Sequence, residues 1–258
     1  MRAGRAAATL LALALAGAAP AGCGEDDEPP QGPPAARHGE GPIRDLLAVQ
    51  AVGARLEAAA DQAAKGSFPD AREQLRLARR GYGRVSPRVA GEDAVLDREV
   101  RAALGAVDAA LARRDPPAAV GERINPLKGQ LLDGVEDALV ERRVRNDSGL
   151  RAEVASRGLD AFEREYAAAV RDGPRGRGRL AFQHSYGLMV KSLGKVLSIA
   201  DELGAQRGPV LVDLIALRDR TFPSQSAAPP APRPAAEVIS AADGVQRGLA
   251  ERWGLRAP

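Results

Sequence analysis

Few side chains in this chain are equipped for chemistry. It holds one cysteine, Cys23, and two histidines, His38 and His184. A lone thiol rules out an internal disulfide framework and any cysteine-based zinc module, since each needs at least two. Two imidazoles exclude a multi-histidine metal centre. No P-loop, dinucleotide-binding glycine fingerprint, nucleophile elbow or HExxH run is present. His184 stands next to Ser185, but neighbours on a helix point about 100° apart, so the two cannot form a proton relay with each other. No enzyme activity is expected.

Carboxylates and arginines are the remaining candidates. Asp160, Glu163 and Glu165 fall in one stretch, and the first two share a helix face at i, i+3. Hard cations such as Fe(III) or Ca(II) favour such oxygen donors. Arg157 and Arg164 stand beside them, so surface ion pairing is the plainer use. Arg175, Arg177 and Arg179 lie in the run RDGPRGRGR at 171–179. Guanidinium forks suit phosphate and anionic head groups; the plainer reading is a solvated, flexible basic loop. Arginine greatly outnumbers lysine throughout, a pattern that codon bias produces.

The context of Cys23 gives it a different role. Met1-Arg2-Ala3-Gly4-Arg5 is a positive leader start, and Ala6 to Ala19 is an apolar run, too short for a membrane span of about 20 residues. Pro20-Ala21-Gly22-Cys23 follows and is similar to a bacterial lipobox, in which the thiol is acylated and becomes the new N-terminus, although Pro20 stands where Leu is usual. Ala19-Pro20-Ala21 also reads as an ordinary cleavage site before Gly22, which would make a secreted, unanchored chain. Export is expected either way, to the outer face of the cell membrane or the periplasm. The charge of +3 and pI near 9.3 look basic, but loss of residues 1–22 removes Arg2 and Arg5 and leaves 35 basic against 34 acidic residues, or +1. Nucleic acid is therefore not an expected partner.

The elements that must position these groups follow from composition and periodicity. Hydrophobic residues are 45% of the chain but aromatics only 3%, and an apolar quota of Ala, Leu and Val favours close-packed helices over strands. Residues 23–42 are acidic and rich in Pro and Gly, bury little, and read as a disordered tether containing His38. From Ile43 to Trp253 the period is helical. Leu46, Leu47, Val49, Val52 and Leu56 stripe a first helix, closed by Gly66-Ser67. A second runs from Phe68 to about Val85, where Pro87 is expected to end it, and a third starts near Asp93. Asp115-Pro116-Pro117 stops and restarts the chain, and Asn125-Pro126 predicts a kink or break before Leu131 to Val140. Asp147-Ser148 caps a fifth helix that ends at Asp172-Gly173-Pro174. Leu180–Leu203, Pro209–Phe222 and Ala235–Trp253 complete an all-α antiparallel bundle of seven to eight helices, with a Pro-rich loop at 224–234.

Two stretches carry a resemblance. Glu165-Tyr166-Ala167-Ala168-Ala169-Val170-Arg171-Asp172-Gly173, followed by Ala181-Phe182-Gln183-His184-Ser185-Tyr186-Gly187, resembles the periplasmic helical domain of bacterial high-affinity iron permeases. That domain carries an E-Y-x-x-A-V-x-D-G run and then an E-Y-Q-E segment. Ala181 and His184 stand here in place of the two acids of that segment. Ala78-Arg79-Arg80-Gly81-Tyr82-Gly83-Arg84-Val85-Ser86-Pro87 is similar to another piece of such domains, with Ser86 where a Glu is common. The resemblance implies a stand-alone relative handling iron, or a copper ion, for a separate permease. Its ligands would come from Glu165, Asp172 and His184, with Tyr166 or Tyr186 nearby as phenolate or hydrogen-bonding groups. The other reading is a metal-free lipoprotein scaffold of the cell envelope that docks a partner protein.

Overall fold

The structure, a computed structural model, describes residues 38–223 and 233–255. Cys23, the leader at 1–22, most of the tether and residues 224–232 of the Pro-rich loop lie outside the described residues. The fold is an all-α multi-helix bundle with no strand among the described residues. Its helices are α1 (Glu40–Ala64), α2 (Phe68–Glu92), α3 (Ala94–Arg113), α4 (Pro117–Pro126), a π segment (Leu127–Leu131), α5 (Leu132–Leu139) and the short α6 (Arg142–Arg145). After these come α7 (Ser148–Asp172), α8 (Gly176–Leu197), a 3-10 segment (Ala200–Gln206), α9 (Arg207–Thr221) and α10 (Ala235–Trp253). No helix of the described residues is long and apolar enough to cross a membrane.

Two hairpins organise the bundle. α1 pairs with α2, α7 pairs with α8 across a three-residue turn, and α1 packs against α8 to join the pairs. The core falls into two main clusters that meet at α1. One takes Val49, Val52 and Leu56 with Leu75, Tyr82, Leu104 and Val135; the other takes Ala54 with Phe162, Tyr166, Met189, Leu214 and Trp253. In the second, Phe162, Tyr166, Phe182, Tyr186 and Phe222 form a ring-to-ring cluster with centroids 5.1 to 6.4 Å apart. Five of the chain's eight aromatics are thus spent in one place, where each large ring removes much apolar area from water.

The cap expected at Asp147 is present, and the helix start expected near Asp93 is capped as well. The Asp93 carboxylate accepts from the backbone N–H of Val95 and Leu96 at 3.0 and 2.9 Å, and Asp147 accepts from Leu150 N at 2.7 Å. These satisfy first-turn donors that have no intrahelical partner.

Several boundaries differ from the expectation. α2 does not end at Pro87 but runs on to Glu92. Proline removes one backbone bond, to Gly83, which is exposed and has open space around it. Side chains on either side hold the helix in register. Tyr82 donates to Asp97 of α3 at 2.9 Å, Ser86 donates to the same carboxylate, and Arg88 forks onto Asp45 of α1. The tether also ends earlier than residue 42: α1 begins at Glu40, and His38 Nε2 sits 3.5 Å from Asp147 Oδ2. The break expected at Asn125-Pro126 appears just beyond, at Gly129, whose φ of −102° and ψ of −108° leave the helical region. That stretch therefore splits into α4, the π segment and α5, and the extended Val140 (φ −138°, ψ 125°) then separates the one-turn α6.

The basic loop at 171–179 contracts to residues 173–175, because α8 starts at Gly176. Gly178 makes this possible. A Cβ there would stand 1.9 Å from the Gly173 carbonyl oxygen, so only glycine lets α8 fold back so tightly. Downstream, α8 stops at Leu197 rather than Leu203; Ser198 Oγ donates to the Lys195 carbonyl at 2.7 Å, and the 3-10 segment follows.

Candidate functional site

Gly187 and Ala54 set the crossing of α8 over α1. A Cβ on Gly187 would lie 2.0 Å from the Ala54 carbonyl oxygen, so the two backbones touch. This contact sets Arg55, next to Ala54, against His184, about one turn before Gly187. From α7, Glu165 reaches the same place. His184 Nδ1 is 3.1 Å and Arg55 Nη2 is 3.7 Å from Glu165 Oε1.

The trio is one end of a polar chain through the bundle interior. Arg55 Nη1 donates to Gln74 Oε1 of α2 at 2.9 Å; Gln74 Nε2 donates to Gln183 Oε1 of α8 at 2.9 Å and to the Leu180 carbonyl at 3.1 Å. Gln183 Nε2 donates in turn to Asp70 Oδ2 at 3.1 Å, and Asp70 Oδ1 takes Arg179 at 2.7 Å. Four helices are thereby stitched by hydrogen bonds whose loss would leave buried polar groups unpaired.

Burial holds the His184 imidazole below its ordinary range, against the pull of Glu165. Burial acts to raise Glu165, but the His184 hydrogen bond and the Arg55 and Arg164 charges outweigh it and keep the carboxyl below its usual value. Arg55 is pulled down by burial to about 10, with Glu165 opposing, so the guanidinium stays charged at neutral pH. Both imidazole nitrogens are buried; Nδ1 faces Glu165, and the backbone of Ala51 also interacts with the ring. A cavity of about 330 Å³ opens beside the pair, walled by Gln50, Ala51, Arg157, Arg164, Glu165 and His184 among others. Its charged lining is two guanidiniums against one carboxylate.

The sequence-named residues are thus only partly gathered. Glu165 and His184 meet. Asp172 is seven residues further along α7, about 10 Å by helix rise, and pairs with Arg171 at 2.9 Å. Tyr166 donates to the Arg233 carbonyl at 3.1 Å and Tyr186 packs edge-on to Phe222, both within the aromatic cluster. Burial raises both phenols above their ordinary value, which disfavours a phenolate. Arg175 and Arg177 are exposed, while Arg179 is tied to Asp70. Among the described residues, no three of His, Cys, Asp or Glu are grouped so as to hold one metal ion. The donor set therefore does not fit a hard cation, which favours several oxygen ligands.

Sequence reasoning missed Arg55, Asp70, Gln74 and Gln183. A signal existed in the glutamines: Gln74 interrupts the buried stripe of Ala71, Leu75 and Ala78, and a polar residue on an apolar face asks for a buried partner.

The fold and this interior network define an all-α bundle whose helices are joined by a buried polar chain. In comparisons with known proteins, no family model, no curated protein and no solved structure matches the chain.

Proposed function

We propose that this chain is a helical accessory protein of the cell envelope, tethered to the membrane through an acylated Cys23, which acts by docking a partner protein without a metal of its own. The leader and Cys23 support the tether. The observation that carries the metal-free reading is Arg55. Its guanidinium already stands 3.7 Å from the Glu165 carboxylate and occupies the cationic position that an ion would need. A second cation there would meet like-charge repulsion in a poorly solvated setting. Glu165 and His184 then serve to lock α7 and α8 to α1. Docking is supported by α9, where Val212 and Ile215, one turn apart, are 66% and 41% exposed.

Iron or copper handling for a permease is the second reading. The position of His184 and Glu165 together on the cavity wall favours it. Calorimetric titration of the purified full chain with Fe(III) and Cu(II), wild type against Glu165→Ala and His184→Ala, separates the two. The metal-free reading expects no binding, or binding that neither substitution changes; binding abolished by both would establish the cation reading.

A further inference from the structure

Lysine is scarce in this chain. Lys65, Lys128, Lys191 and Lys195 are four of 37 basic residues, the rest being arginine. Three of the four line one pocket of about 420 Å³ between α1, the π segment, α5 and α8. Arg145 of α6 and Arg151 of α7 complete its wall, so five cations face Asp133 and Glu136.

The cations are held by shared carboxylates, of which Glu136 stands in the pocket wall itself. Glu57 of α1 takes Lys128 at 2.6 Å and Lys191 at 3.5 Å; Glu136 takes Lys195 at 2.9 Å and Arg145 at 3.6 Å. Asp137 takes Arg145 at 2.7 Å. Counting Glu57 and Asp137 with the lining acids still leaves the cations in excess. Among the described residues, the hydrogen bonds of Arg151 go to neutral acceptors, Asn146 Oδ1 at 2.6 Å and two backbone carbonyls. Arg145 is 17% exposed, and among the described residues its buried Nε has no hydrogen-bond partner, which leaves the burial of that donor uncompensated by them.

The pocket is also built by what is left out. A Cβ on Gly53 would stand 2.7 Å from Lys191 Cε, so α1 omits a side chain where the lysine stem crosses it. That gap passes a slim alkyl chain ending in a point charge. A wide planar fork would not fit it equally well, which gives a physical reason for lysine here in an arginine-rich chain.

We infer that this pocket binds a small dianionic oxyanion of the phosphate class, free or as a monoester. Ammonium groups brought to one pocket from α8 and the π segment suit a tetrahedral ligand with acceptors in every direction, whereas a planar carboxylate is better matched by a guanidinium fork. The volume suits a small phosphorylated molecule, since small-molecule sites run from roughly 300 to 1,000 Å³. The assignment requires neither the tether nor a metal.

The test is calorimetric titration of the purified full chain with inorganic phosphate and with glycerol 3-phosphate at fixed ionic strength. Co-sedimentation with vesicles of phosphatidylcholine, with and without phosphatidic acid, runs beside it. Saturable binding of one ligand per chain is expected with a soluble phosphate, weakened at least tenfold by Lys128→Gln and by Lys191→Gln at unchanged helicity. Arg84→Gln, which removes an exposed charge elsewhere, should leave it unchanged. The same lysine dependence with phosphatidic acid vesicles alone, whose head group is a phosphate monoester, would identify a lipid as the source of the same chemistry. No saturable binding by the wild type to any of these probes at millimolar concentration, or binding indifferent to both lysine substitutions, overturns the assignment. If a variant loses helicity, the wild-type titration and the other lysine variant decide.

Discussion

Gly187 rests on the backbone of Ala54 so closely that the first side-chain atom of any other residue would fall 2.0 Å from the Ala54 carbonyl oxygen. This contact between α8 and α1 is where the two core clusters are joined, and it sets the distance across which Arg55, Glu165 and His184 meet. Small residues at helix crossings let axes approach, and a close crossing is rigid because the obstacle is backbone.

Gly187→Ala should therefore be destabilising despite alanine's better helix propensity. Overpacking costs roughly 1–3 kcal/mol, and against backbone the upper end applies, about 3 kcal/mol by urea denaturation. Gly105→Ala is the contrast: nothing lies within 4 Å of a Cβ built at Gly105 in α3, so the change should stabilise by up to about 1 kcal/mol. Equal effects at the two sites would contradict the crossing.

Glu163 should make stability fall as pH rises toward neutral. Burial, then the neighbouring Asp243 and Asp160 charges, push its carboxyl from 4.5 up to about 7. Between those values the folded chain keeps a proton that the unfolded chain has released, so this contribution is fully present below about 4.5 and lost as pH passes about 7. The group is only half-buried, so solvent screening limits the effect to about 1 kcal/mol. Glu163→Gln should melt about 2–4 °C above the wild type at pH 8 and with it near pH 4.5. A pH-independent difference would refute this. Glu165 acts with the opposite sign, since its carboxyl is held low and its contribution is lost as pH falls.

Cys23 lies outside the described residues, and its role is tested in cells. Acyl chains add about 0.8 kcal/mol per buried CH₂, so an acylated chain should stay with the membrane through a high-salt wash. Cys23→Ser should release it or block its processing. A wild-type protein that washes off in salt, with Gly22 as its mature N-terminus, would show cleavage without acylation.

Much of the helical layout was legible because it depends on neighbours in sequence. Apolar stripes at three and four residues, the Asp93 and Asp147 caps, and the stop at Asp172-Gly173 are local signals, and α10 begins and ends where periodicity places it, at Ala235 and Trp253. The all-α class followed from composition, and the pairing of α7 with α8 from a short turn. The candidate site was legible only in part: Glu165 and His184 were named from two motif stretches, yet nothing local shows that both would face Arg55, 110 and 129 residues earlier in the chain.

Those meetings were decided by tertiary structure. Pro87 stays inside α2 because Asp97 and Asp45, on other helices, hold the residues around it. Gln74 and Gln183 find each other across 109 residues, and Lys128, Lys191 and Lys195 share one pocket because Gly53 and Gly187 allow α8 to lie directly on α1. A helix's existence is set by interactions within a few residues, so sequence alone specifies it. The angle and closeness at which helices cross depend on side-chain volumes summed over distant positions, and the sites depend on those crossings.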